Sequence, residues 1–302
     1  MIELKKYPIK KDRLEYLAVR LDNTLTQIEK DKTYPLMYTP INNGPQTGFA
    51  MWHEFLALHR LLIDKDIKAA KQCYYIAELS RLRAYAEFGK SAQSHMHGIL
   101  PNGFRGLLSD AQHLQPVYAA LRHPDELTIK PERYWVTYHL VRMHQAALQK
   151  DWVLVTSLIE RIKDSPTAKE NWVLERLGFY RALCEESTPA VEAALAQLLS
   201  KESVKFSNKA FKRLGVGKFM CLPGMWLSKL AWQCGHEIII KHPMIISELL
   251  PVEPLEHYDN PYDFLIDPVL ENKPIKLYGL EDSVEEVERY NQYLYREKTG
   301  HA

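Results

Sequence analysis

Histidines, twelve in this chain, supply the first patterns that could do chemistry. His53, Glu54 and His59 hold the ingredients of an H-E-x-x-H zinc site, where two imidazoles one helical turn apart bind the metal and the glutamate activates a water. Here the histidines are six residues apart, which turns His59 away from His53, so no shared metal is expected. His95 and His97 flank Met96, with His113 further on. No acid or cysteine accompanies them at the spacing of a metal site. Cys73, Cys184, Cys221 and Cys234 form no C-x-x-C pair and are expected to be reduced thiols without a chemical role. Gly98, Gly103 and Gly106 match neither a dinucleotide fingerprint nor a P-loop, and no G-x-S-x-G elbow marks a nucleophilic serine. The expectation is therefore no catalytic residue, no metal and no cofactor.

Charge is the second kind of chemistry on offer. Lys201, Lys205, Lys209, Lys212, Arg213 and Lys218 interleave with Phe206, Phe211 and Phe219. Nucleic-acid binding would need the cations on one face and the aromatic rings exposed for stacking. The spacing fits a solvated helix face with the rings turned inward, so nucleic acid is not an expected partner. Opposite in sign is the segment from Glu248 to Leu265, E-L-L-P-V-E-P-L-E-H-Y-D-N-P-Y-D-F-L, acidic and broken by prolines yet carrying large apolar residues at intervals. Between Ser247 and Glu297 thirteen acidic residues face four basic ones, whereas the rest of the chain holds 35 basic and 25 acidic residues. Carboxylates gathered at one end could face a basic partner and speed its approach. Glu253, Glu256, Asp259 and Asp263 are the candidate contacts on this arm.

Around these residues the pattern is helical. Leu14, Leu17, Leu21, Leu25 and Ile28 step by three or four, as do Tyr75, Leu79, Leu82 and Ala86. The spacing returns at Val136, Leu140, Met143 and Ala147, then at Val155, Leu158 and Ile162, with Lys150 and Asp151 as a tight break. Val173, Leu177, Tyr180 and Cys184 form a further stripe, and Val191, Ala194, Leu195 and Leu198 another. Residues 131–200 thus read as two stacked helical hairpins. Thr167 with Glu170 fits a capping box, and Thr188 before Pro189 fits a capped helix start. A Trp-rich apolar helix follows from Leu222 to Gly235. Prolines at 243, 251, 254, 261, 268 and 274 then predict an extended arm anchored by Leu249, Leu250, Val252, Leu255, Tyr258, Tyr262, Phe264 and Leu265. Ser283 with Glu286 fits the start of a final helix.

The fold expected is all-α, a degenerate tetratricopeptide-like array of antiparallel hairpins with a Pro-rich C-terminal arm and a final helix. At 302 residues, with 46% hydrophobic and 25% charged side chains, the chain can bury a substantial core. A single domain over 1–302 is expected, with possible halves at 1–115 and 116–302 on either side of a loop marked by Gly98, Pro101, Gly103 and Gly106. Charges among the first twenty residues interrupt any signal core, and no apolar run approaches the roughly 18 to 20 residues of a membrane span. A cytoplasmic protein is expected.

The run H-P-M-I-I-S-E-L-L-P-V-E-P-L, leading into Y-D-N-P-Y-D-F-L, together with the hairpins from about Trp135 onward, resembles the immunity protein 49 family, helical proteins that bacteria pair with polymorphic toxins. The resemblance implies a protein that binds and neutralises a cognate toxin by occupation instead of turnover. No contact residue transfers from the family. The acidic arm is the first candidate toxin-binding surface, and the central loop with His95, His97, Asn102 and Arg105 is the second, since loops on a rigid scaffold often carry function. Two other readings stay open: an adaptor or effector chaperone that holds a partner without inhibiting it, and a hydrolase that reverses a toxin's modification. The oligomeric state is not legible.

Overall fold

In the computed structural model the described residues are 14–18, 21, 25–26, 45–88, 107–120, 132–205, 216–263, 265 and 267–271. They form an all-α protein, and no described residue is in a strand. The helices whose bounds are described are α1 (Pro45–Leu62), α2 (Ile67–Phe88), α3 (Gln115–Ala120), α4 (Glu132–Leu148), α5 (Trp152–Lys163), α6 (Asn171–Cys184), α7 (Thr188–Leu198) and α8 (Leu222–Cys234), and residues 14–18 and 201–205 are helical too. Short 3₁₀ turns include Leu107–Ser109, Gln112–Leu114 and Ser247–Leu249. None of these helices is long and apolar enough to cross a membrane.

Helices α4 to α7 occupy the four stripes read from the sequence, and consecutive members pack on one another. Their turns are built by local chemistry. Lys150 is left-handed (φ 56°), and the amides of Asp151 and Lys150 close on the carbonyls of Ala146 and Ala147, a Schellman ending for α4. Asp151 then caps α5 by accepting the Leu154 amide at 3.0 Å. The expected caps on the next pair are shifted. Glu170, not Thr167, is the residue before α6, and it places no side-chain oxygen on the helix amides; its carboxylate takes the Trp172 indole N–H instead. Ser187 caps α7 through the Ala190 amide, while Thr188 is already helical and its hydroxyl meets His236 Nδ1 at 3.0 Å. In both cases a neighbour one to three residues away holds the extended backbone that a cap requires.

One apolar cluster is made by α4 to α7 with Leu227, Leu230 and Ala231 of α8. A second joins α1 and α2 to Leu17, Leu108, Tyr138, Leu222, Met225, Trp226 and residues 245–250, so it draws on both sides of residue 115. Helix α8 lies between the two and every residue from Leu222 to Ala231 is buried, the condition under which a helix is apolar all round. It ends in another Schellman closure at Gly235, whose φ of 100° suits glycine alone. Of the first stripe, Leu17 is buried and Leu25 is exposed. All four cysteines are free thiols. The final helix expected from Ser283 and the central loop at 91–106 lie outside the described residues.

The third cluster is the arm's own. Tyr258, Tyr262 and Leu265 enter an aromatic pocket with Phe49, Tyr75, Leu79, Leu82, Ala111, Leu114 and Tyr118. With Leu249 and Leu250 in the second cluster, five of the expected anchors are buried, each worth about 1.5 to 3 kcal/mol when fully removed from water. Val252 and Leu255 are half-buried, and the Phe264 side chain lies outside the described residues.

Candidate functional site: a clamped acidic arm

Apolar anchoring alone leaves the peptide groups of an irregular segment without partners, and buried peptide groups need them. Buried side chains of the body supply them here. Lys229, the one cation on the apolar helix α8, donates from its ammonium to three successive carbonyls, Leu249 at 2.9 Å, Leu250 at 3.2 Å and Pro251 at 2.8 Å. The same ammonium lies 2.5 Å from Asp110 Oδ1, with both side chains fully buried. Asp110 Oδ2 takes Lys71 of α2 at 2.8 Å and the Glu253 amide at 3.2 Å, and Lys71 also donates to the Glu253 carbonyl at 2.7 Å. Asp110 reaches this central position from a left-handed backbone (φ 60°) between two 3₁₀ turns, a conformation aspartate tolerates better than most residues. Burial lowers the Lys229 pKa to about 8, against the pull of Asp110.

Two further holds follow along the arm. The Gln72 amide grips the peptide of Asp259 at both ends, donating to its carbonyl at 2.6 Å and accepting its N–H at 3.1 Å. The Tyr258 hydroxyl donates to the Ser109 carbonyl at 2.8 Å and accepts the Leu255 amide at 3.1 Å; burial pushes its pKa up to about 12. At the far end Asp267 Oδ2 takes Tyr75 O–H and His113 Nε2, each at 2.7 Å, while its Oδ1 caps the amides of Val269 and Leu270. Burial alone would raise the Asp267 pKa, but these hydrogen bonds, His113 first, hold it below the ordinary carboxylate value. His53 Nε2 shares a hydrogen bond of 3.1 Å with Tyr262 O–H, and Glu54 pairs with Arg81 at 2.5 Å. Thus two of the histidines that suggested chemistry, His53 and His113, hold the arm.

With the inward face so occupied, four of the arm's carboxylates are exposed. The Glu253 side chain is 73% exposed, with its Oε2 4.0 Å from Lys71 Nζ. Asp259 is 77% exposed and meets the exposed His257 at 3.0 Å. Glu256 and Asp263 are exposed as well. The four candidate acids therefore share the solvent side of one tethered segment. His95, His97, Asn102 and Arg105 lie outside the described residues. Of the basic stretch, Lys201, Lys205 and Lys218 are exposed and Phe219 is buried, while residues 206–215 are outside the description. Among the described residues no group of three or more His, Cys, Asp and Glu side chains could hold a metal ion.

Sequence reasoning missed Lys71, Gln72, Asp110, Lys229 and Asp267. A lysine alone in the run M-W-L-S-K-L-A-W was the available signal, because an unpaired ammonium does not persist inside an apolar helix. Its partners lie 20 to 119 residues away along the chain, and no local pattern names them.

The class defined by this geometry is an all-α protein with an irregular acidic arm clamped across its helices. No protein-family model, no curated protein and no solved structure matches the chain.

Proposed function

We propose that this chain is an immunity-type inhibitor, a protein that binds a cognate toxin and neutralises it by occupation, with the solvent face of the arm as a principal contact. The observation that carries the reading is the division of the arm into two faces, one fixed to the body by buried anchors and side-chain-to-backbone hydrogen bonds, the other bearing Glu253, Glu256, Asp259 and Asp263. Fixing the main chain in advance removes ordering entropy that a free acidic tail would lose on binding. Four carboxylates held together steer a basic surface toward the arm and suit a Lys- and Arg-lined cleft of a toxin. The neighbouring helical surface completes an interface, for which about 1,600 Å² in total is typical.

The test takes the product of the neighbouring open reading frame as the candidate toxin. Titrating the toxin's activity with this protein should reach full inhibition at one to one. Protection by substoichiometric amounts would place the protein among catalysts, and a complex with undiminished toxin activity would make it a chaperone or adaptor. Reversing Glu253, Glu256, Asp259 and Asp263 to lysine together should slow association by about 10-fold or more at low salt, with the difference shrinking as salt is added. Equal association rates for the variant and the natural protein would remove the arm from the interface.

A further inference from the structure

Past Leu265 the arm makes one turn that shows two apolar side chains to solvent. Val269 is 44% exposed and Leu270 56%. Among the described residues these are the only large exposed apolar side chains that are consecutive in the chain; the others, such as Val153 and Leu174, occur singly, as on most protein surfaces. The backbone that carries the pair is fixed. Buried Asp267 accepts both of their amides on Oδ1, at 2.9 and 2.8 Å, and its carbonyl accepts the Glu271 amide at 3.1 Å. Pro268, at the start of the turn, has no N–H to satisfy. The other oxygen of Asp267 is held by Tyr75 and His113 of the body. The two apolar side chains therefore stand on a main chain ordered before any partner arrives, which lowers the entropy lost on binding.

We propose that Val269 and Leu270 are the apolar anchor of a docking surface whose rim is the acidic face of the arm, and that this surface receives a basic protein surface with an apolar recess. The inference rests on the inhibitor reading and specifies what the toxin presents. Hydrogen bonds join the turn to the acidic segment. Asn260 Nδ2 donates to the Leu265 carbonyl at 2.9 Å and to Glu271 Oε1 at 3.5 Å, and the same Glu271 oxygen accepts the Asp267 amide at 3.0 Å. Asn260 directly follows Asp259 and comes shortly before Asp263, both exposed, so the apolar pair and the carboxylates belong to one tethered segment. In such an interface the apolar centre governs how long the complex lasts and the charged rim how fast it forms. Charge decides the occupant. A second copy pairing through the same patch would set the arm's carboxylates against their own counterparts, and a neutral apolar surface would gain nothing from them. A surface bearing lysine and arginine around an apolar recess matches both features.

Binding kinetics of the product of the neighbouring open reading frame, measured with the natural protein and with Val269→Ser plus Leu270→Ser, provide the test. The double variant should dissociate faster by about 10-fold or more, with its association rate and salt dependence unchanged, the reverse of what the four charge reversals on the arm should do. Because both side chains are exposed, the urea midpoint and the sedimentation of the unbound protein should stay as they are. A natural complex whose dissociation the double variant leaves unaltered overturns this inference and spares the inhibitor reading, which the activity titration judges by itself. Absence of any complex with the natural protein overturns both. A lowered urea midpoint would show that this chain itself covers the pair, and self-association of the natural protein that the variant loses would assign the pair to a second copy; either result also overturns the proposal.

Discussion

Lys229→Met isolates the clamp. Methionine keeps the length and apolar stem of lysine and removes only the ammonium, which is fully buried against Asp110 and three arm carbonyls. Charge-assisted hydrogen bonds contribute about 1.5 to 3 kcal/mol each, so losing three sets a gross cost of about 5 to 9 kcal/mol. Part returns, because burial has already lowered this ammonium from 10.5 to about 8, equivalent to about 3 kcal/mol. Asp110 also keeps Lys71 at 2.8 Å. The net expectation is a loss of about 2 to 6 kcal/mol, in the range of about 3 to 5 kcal/mol seen when one partner of a buried ion pair is removed. Urea unfolding measures the total, and amide hydrogen exchange locates it: Glu253, Leu255 and Asp259, whose amides are held by clamp side chains, should lose more protection than amides within α6. The pH dependence adds a signature. Between about pH 8 and 10.5 the unfolded chain retains a proton that the folded chain has released, so stability of the natural protein should rise with pH across that window, and Lys229→Met should abolish this contribution. A loss under about 1 kcal/mol with unchanged exchange in the arm would refute the idea that Lys229 holds it.

Other consequences are as direct. Tyr258→Phe removes a hydroxyl that bridges the Ser109 carbonyl and the Leu255 amide and should cost about 1 to 3 kcal/mol in denaturant unfolding; a neutral effect would mean that water replaces it. Gly224→Ala places a Cβ 2.7 Å from Leu199 Cδ2 and 3.1 Å from Ile245 Cδ1, so overpacking should lower stability by about 1 to 3 kcal/mol and Tm with it, whereas an unchanged Tm would show that Leu199 moves aside freely. His139 and His144 are buried on α4, with burial first among the causes that lower their pKa to about 4 and about 3. Because the unfolded chain takes up these protons from about pH 6.5 downward, stability should fall as pH drops from 6.5 toward 4, by at most about 1.4 kcal/mol per pH unit for each histidine. A flat urea midpoint over that range would argue that both rings reach water.

Much of the body was legible because amphipathic helices announce themselves locally. The stripes at Val136 to Ala147, Val155 to Ile162, Val173 to Cys184 and Val191 to Leu198 are helices with those faces inward, since a period of 3.6 residues leaves a mark on any sequence that buries one side. The arm was legible too, through prolines that forbid helix and apolar residues that must go somewhere. Capping residues were less so: Ser187 and Thr188 have equal chemistry, and only backbone geometry selected Ser187. What the sequence could not determine was how the arm is held. Lys71, Asp110, Lys229 and Glu253 meet because four chain segments pack together, and electrostatic partnership acts through space without regard to separation along the chain. The sequence determined that an acidic arm exists and what anchors it; tertiary packing alone decided that its peptide groups bond to two buried lysines, a glutamine and an aspartate, leaving Glu253, Glu256, Asp259 and Asp263 to the solvent.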